Sequence, residues 1–206
     1  MGLGRFITLE GGEGAGKSTQ AGLLADALCR SGRAVLQTRE PGGAPGAELL
    51  RGVLLSGQID WAAPAETLLH FVARAEHVEK TIRPALEAGF WVVCDRYFDS
   101  TLAYQGYGQG ADRARIAALS AMVGLTPDLT LMLHVSPAVA VDRLGRRGLA
   151  ADRYERLDAA FHARVNAGFR AIAAAEPGRC AAIDADGAAA DAHAAVMTEI
   201  SRRWSA

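Results

Sequence analysis

The chain has 206 residues, which suits one domain or one domain with a small inserted lid. Half of the residues are hydrophobic and 22% are charged, and 22 basic against 23 acidic residues leave a formal net charge of −1. That balance speaks against a generally basic nucleic-acid binder, no apolar run reaches the ~18 residues of a membrane span, and Glu10 interrupts the first apolar stretch, so no signal peptide is expected.

In chain order, a strand is predicted at Phe6–Leu9 and a helix at Ser18–Arg30. A strand at Ala34–Leu36 follows, then helices at Ala47–Leu55 and Pro64–Ala88. Next come a strand at Phe90–Cys94, a helix at Asp112–Val123 and a strand at Leu129–Val135. Leu157, Phe161, Val165 and Phe169 recur every four residues and predict an amphipathic helix over Asp152–Ala174. A strand around Cys180–Ile183 and a helix at Ala188–Arg203 close the series. The strands are short and near-continuously apolar, as expected when both faces of a parallel sheet are covered. Their alternation with helices predicts an α/β fold: a doubly wound five-stranded parallel sheet with helices on both faces. Ligands of such sheets bind at the carboxyl ends of the strands. Cys29, Cys94 and Cys180 are odd in number and lack metal-ligand spacing, so they read as reduced core thiols of a cytoplasmic protein.

Gly11-Gly12-Glu13-Gly14-Ala15-Gly16-Lys17-Ser18, followed by Thr19, fits G-x-x-x-x-G-K-[ST] between a predicted strand and a predicted helix. Glycines let the backbone N–H groups of such a loop turn inward onto phosphate oxygens, and the helix N-terminus adds a positive dipole end. Lys17 can reach the β- and γ-phosphates, and the Ser18 hydroxyl can ligate Mg²⁺. Only two basic residues of the chain are lysines, Lys17 and Lys80, so an ammonium at position 17 stands out. No Asn-Lys-x-Asp motif of a GTPase occurs, and Asp184-Ala-Asp-Gly187 lies too late for a switch loop and reads as a turn. After the third strand, Asp95 can organise magnesium and water, and Arg96 can clamp a second phosphate. The alternative for this pair is a helix-capping aspartate beside a solvated arginine.

With these residues in view, the chain resembles the bacterial thymidylate kinases from Phe6 to about Asp184. The motifs are Leu9–Thr19, Thr38-Arg39-Glu40-Pro41-Gly42-Gly43, Arg74 with Ile82–Leu86, Asp95-Arg96-Tyr97, Ser100–Gly106 and Pro127–Leu131. The resemblance implies one P-loop kinase domain over 1–206 that transfers the γ-phosphoryl group of ATP to dTMP with Mg²⁺. It also implies a cytoplasmic homodimer that binds neither nucleic acid nor membrane. Another nucleoside or nucleotide kinase is the nearest alternative, and a non-catalytic nucleotide-binding regulator the next.

Carried over residue by residue, the resemblance has Glu13 accept from the sugar 3′-hydroxyl and Arg96 bridge donor and acceptor phosphates. Asp95 holds the magnesium–water shell. Arg39 and Arg51 meet the acceptor phosphate, Arg51 being favoured. Pro41 helps form the thymine pocket, after a cis bond, and Arg74 donates to a thymine carbonyl. Ser100, Thr101 and Gln105 bracket the ring, and Tyr104 packs near C2′. The family places Phe four residues before the reading arginine; here that position is His70, with Phe71 one residue later, and either ring is a stacking candidate. A lid is expected at about 143–155, where four arginines, Arg143, Arg146, Arg147 and Arg153, fall in eleven residues. Gly14 follows Glu13, so the P-loop carries no arginine and the chain resembles the lid-arginine type. Arg147 is the first candidate for the catalytic arginine and Arg153 the second, with Glu155 on the acceptor side.

Overall fold

The computed structural model describes residues 4–148 and 153–204. Its five strands are β1 (Arg5–Glu10), β2 (Val35–Arg39), β3 (Trp91–Asp95), β4 (Leu129–His134) and β5 (Cys180–Asp184). They form one parallel sheet in the order β2-β3-β1-β4-β5. In β1, Ile7 and Leu9 face one core with Leu24, Val93, Leu131, Ile183 and Val196, while Phe6 faces another with Val78, Val92 and Tyr97. This alternation is the two-residue period of a strand covered on both faces.

The helices that cover the sheet are α1 (Lys17–Arg30), α2 (Pro45–Leu55), α3 (Ala63–His77), α4 (Arg83–Glu87) and α5 (Phe98–Thr101). They are followed by α6 (Arg113–Val123), α7 (Pro137–Arg147), α8 (Ala159–Ala175) and α9 (Ala189–Arg203). No helix among the described residues is long and apolar enough to cross a membrane. Cys94 and Cys180 are buried, whereas Cys29 is exposed rather than in the core.

The predicted helix Pro64–Ala88 is instead α3, a π-helical stretch at Val78–Ile82, and α4. Pro84 has no N–H to offer the carbonyl four residues back, and the wider turns before it absorb that loss. The predicted helix Asp152–Ala174 starts only at Ala159, because the Asp158 side chain accepts the Phe161 N–H at 2.7 Å and caps it; Asp152 lies outside the described residues. Two helical stretches were not predicted. One is α5, which runs into a π-helical turn at Leu102–Gly108. The other is α7, which begins at Pro137 and ends at Gly148 in the left-handed conformation. Arg143, Arg146 and Arg147 of the expected lid therefore lie on a helix, and positions 149–152 fall outside the described residues.

Candidate active site

The loop between β1 and α1 needs its glycines for definite reasons. Gly11 has φ 144°, and a Cβ there would stand 2.3 Å from the Leu133 carbonyl oxygen. Gly16 enters α1 at φ 84°, a region that L side chains avoid. Lys17 Nζ donates to the Gly12 carbonyl at 2.6 Å. Burial, helped by the Arg96 guanidinium, pushes the lysine down to about 8. Ser18 Oγ donates to Asp95 Oδ2 at 2.5 Å, and Asp95 Oδ1 is buried without a hydrogen-bond partner.

Arg96 adopts φ 71°, and its guanidinium turns back over the loop. Nη2 donates to Glu13 Oε1 at 2.6 Å, and Nη1 to the Gly11 carbonyl at 3.1 Å and Ser100 Oγ at 3.2 Å. Tyr104 Oη donates to the same Glu13 oxygen at 2.6 Å. Burial would raise the Glu13 carboxyl, but Arg96 and then Lys17 outweigh it and hold it at about 2. Glu13 is thus an anion between two cations and a phenol.

Away from the loop, the Glu40–Pro41 peptide is cis. Arg74 Nε donates to Glu40 Oε2 at 2.8 Å and Nη2 to Thr101 Oγ1 at 3.1 Å, while Nη1 is buried without a hydrogen-bond partner. Arg51 Nη1 donates to the Pro41 carbonyl at 2.7 Å. Arg39 pairs with Glu48 at 3.2 Å on the surface. On the far side, Arg147 Nη2 donates to both oxygens of Glu155 at 2.7 Å, and Arg143 Nη2 to the Gly187 carbonyl at 2.8 Å.

One cavity of about 530 Å³ runs through these groups. Gly14, Lys17, Ser18 and Thr19 line it beside the loop, and Pro41, His70, Arg74 and Thr101 line it as well. Glu13, Asp95, Arg96, Ser100, Tyr104 and Gln105 lie along it, with Arg39, Arg51, Arg147 and Glu155 on its walls. A smaller cavity of about 310 Å³ opens beside the loop between Thr19, Arg143 and Gly187. Two side chains picked from the sequence lie elsewhere. Phe71 is buried beneath the Arg74 guanidinium, 4.8 Å from ring centroid to Cζ, whereas its neighbour His70 walls the cavity. Arg153 pairs with buried Glu66 and lies 3.8 Å from Asp60, off the cavity wall. Gly11, Gly12 and Ala15 shape the loop from behind.

The family sequence model described as Thymidylate kinase matches residues 9–196. The chain belongs to the thymidylate kinase family. It is 55% identical over 188 residues to the thymidylate kinase of Gluconobacter oxydans, covering 89% of this chain and 88% of that protein. With the thymidylate kinase of Chromohalobacter salexigens it shares 49% over 209 residues, 98% of this chain and 99% of that one. The crystal structure of thymidylate kinase from Ehrlichia chaffeensis superposes with a TM-score of 0.79 at 35% identity, covering 96% of this chain and 98% of that chain.

Within this thymidylate kinase fold, sequence reasoning passed over Glu40, Arg143 and Tyr154, all on the cavity wall, and Glu66 behind it. Glu40 stood inside the Arg-Glu-Pro loop and Arg143 inside the arginine cluster, so both carried a signal. Tyr154 stood inside the expected lid segment, between Arg153 and Glu155, whereas Glu66 carried no signal; what brings the two together is packing between distant segments.

Proposed function

We infer that this member of the thymidylate kinase family transfers the γ-phosphoryl group of ATP to dTMP, giving ADP and dTDP. The observation that carries this reading is the continuous cavity. It joins a phosphate-binding loop to a chamber with a buried, unpartnered guanidinium nitrogen at Arg74, and Arg96 stands between them.

The donor's β- and γ-phosphates bind the loop, where Lys17 exchanges the Gly12 carbonyl for phosphate oxygens. The smaller cavity beside Arg143 takes the donor's base. In the chamber, Arg74 Nη1 donates to a carbonyl of thymine, with His70, Thr101 and Gln105 around the ring. Arg51 and Arg39 meet the acceptor phosphate, and Glu13 accepts from the sugar 3′-hydroxyl. Arg96 lies between the two phosphates, and Tyr104 packs near C2′. Arg147 brings positive charge to the migrating group from a lid at about 143–155 of one P-loop kinase domain. Phosphoryl transfer asks little covalent work of the protein, so rate comes from alignment and charge stabilisation. A closed lid also keeps water from competing with dTMP.

Mg²⁺ fits the residues present. The Ser18 hydroxyl and the unpartnered Oδ1 of Asp95 offer hard oxygens at the loop. No group of three or more His, Cys, Asp or Glu gathers as a metal site among the described residues, which suits an ion held largely by phosphates and water. Bound there, Mg²⁺ supplies charge neutralisation on the phosphate oxygens. The enzyme acts in the cytoplasm as a homodimer. Exposed Leu49 and Val53 on α2, Leu68 and Val72 on α3 and Met122 on α6 supply apolar surface for that contact.

The test is a coupled ADP-release assay with ATP, Mg²⁺ and a panel of nucleoside monophosphates. Release is expected fastest with dTMP; no dTMP-dependent release by folded protein overturns the reading.

A further inference from the structure

Behind the chamber, the Glu66 carboxylate is fully buried on α3. Its Oε1 accepts from Tyr154 Oη at 2.7 Å, Gln105 Nε2 at 2.8 Å and Gln109 Nε2 at 2.9 Å, and its Oε2 pairs with Arg153. Gln105 Nε2 also reaches Tyr154 Oη at 3.1 Å, and His70 Nε2 lies 2.9 Å from the same oxygen.

Counting protons fixes the direction of these bonds. An ionised carboxylate only accepts, and a phenol has one proton to give. Although burial opposes it, hydrogen bonds from Tyr154, Gln105 and Gln109 keep Glu66 below the usual carboxylate range, so the phenol proton goes to Glu66. The phenol oxygen is then an acceptor toward His70, which must carry its hydrogen on Nε2. Burial, with the Arg74 guanidinium, pulls His70 down to about 3, so the ring is neutral and has a single N–H. Its Nδ1 is therefore a bare acceptor. The Gln105 amide is spent in the same way: its Nε2 hydrogens serve Glu66 and Tyr154, and its Oε1 remains an acceptor.

We propose that Glu66 and Tyr154 are positioning residues for base selection. By taking up the N–H donors of His70 and Gln105, they leave only acceptors on these two side chains of the chamber wall, beside the donor Arg74. That wall matches a base with a donor at N3 next to an acceptor at C4, as in thymine and uracil. It opposes cytosine, which offers an acceptor and a donor at those places. The proposal rests on dTMP binding at the Arg74 end.

The experiment compares wild type with Tyr154→Phe and Glu66→Gln, measuring kcat and KM for dTMP, dUMP and dCMP beside a thermal melt. Each variant is expected to lose tenfold or more of the dTMP-to-dCMP ratio in kcat/KM, the loss falling on KM for dTMP rather than on kcat. If Glu66→Gln fails to fold, Tyr154→Phe, which keeps the ring, decides. The second readout is the ¹⁵N spectrum of the histidines, with His70 assigned by its loss in His70→Phe. A single neutral tautomer protonated at Nε2 is expected in wild type, and a mixture in Tyr154→Phe. An unchanged ratio in folded Tyr154→Phe, an equal loss for all three acceptors, or an Nδ1–H tautomer overturns the proposal. A wild type that phosphorylates no pyrimidine monophosphate, yet shows the expected tautomer, overturns the phosphotransfer reading and with it the base-selection role.

Discussion

Arg96 Nη2 reaches Glu13 Oε1 at 2.6 Å across the mouth of the phosphate loop, from a backbone held at φ 71°. A side chain in that left-handed region costs about 1–2 kcal/mol relative to glycine. Arg96→Ala and Arg96→Gly should therefore both lose about a hundredfold or more in kcat, but the glycine variant should melt higher than the alanine one. Steady-state rates beside calorimetry check this; an alanine variant that melts at or above the glycine one contradicts it.

Lys17 is held in its charged form against burial, with its pKa lowered to about 8. A lysine in the unfolded chain titrates near ~10.4. At pH 7 both states carry the proton and the folded state bears the whole penalty. Between about 8 and that unfolded value the unfolded chain binds more protons, so stability recovers as pH rises. Lys17→Met should abolish most turnover yet raise the ligand-free Tm at pH 7, by about 2–4 °C for each kcal/mol recovered. The gain should shrink above pH 8. Melts from pH 7 to 10 read the trend, and a variant destabilised at pH 7 refutes it.

Arg147 grips Glu155 with two bonds of 2.7 Å. If its guanidinium meets charge that develops only during transfer, Arg147→Ala should lower kcat about ten- to a hundredfold and change the KM for dTMP less than threefold. A change confined to KM would make it an acceptor-binding residue instead.

Arg74 and Glu40 are nearly unexposed and bound at 2.8 Å. Removing one member of a buried pair costs about 3–5 kcal/mol when it strands the other; here Glu40 Oε1 keeps His77 Nδ1 at 3.1 Å, so the loss falls on Oε2 and towards the lower end of that range. Arg74→Ala should therefore melt well below wild type as well as erode the preference for dTMP over dCMP. Adding Glu40→Gln should recover part of the Tm without restoring the preference. A double-mutant cycle tests this; additive Tm losses would mean that the pair is not coupled.

The glycine-loop end of the cavity was legible in the sequence as a cluster because it is local. Gly11 to Gly16 form one loop that leads into Lys17 and Ser18 at the start of α1, and Asp95 ends one strand with Arg96 next to it. The Arg74 end of the cavity was assembled only through the resemblance, since its contacts are distant in the chain: Glu66 and Tyr154 are 88 positions apart, and Arg74 and Glu40 are 34 apart. Periodicity also misled at one helix start. Leu157 matches the four-residue spacing but precedes the cap at Asp158, where hydrogen bonding rather than hydrophobicity sets the boundary. Helix α7 could have been found from Ser136-Pro137, since proline favours the first helical position.

Ser18 and Asp95 are 77 positions apart, yet they meet because β1 and β3 pair with Leu9 opposite Asp95. A slip of one residue would carry that carboxylate about 3.3 Å along the sheet and turn it to the other face. Insertions and deletions are thus excluded from these two strands, from the Gly11–Ser18 segment and from β2, which pairs with β3 in register, and fit best in the surface connections of the chain between them. Pro41, Arg51, His70 and Arg74 all belong to that intervening stretch. The strand register is therefore a length constraint: the Ser18–Asp95 contact survives changes of length in surface connections but not in the strands that set it.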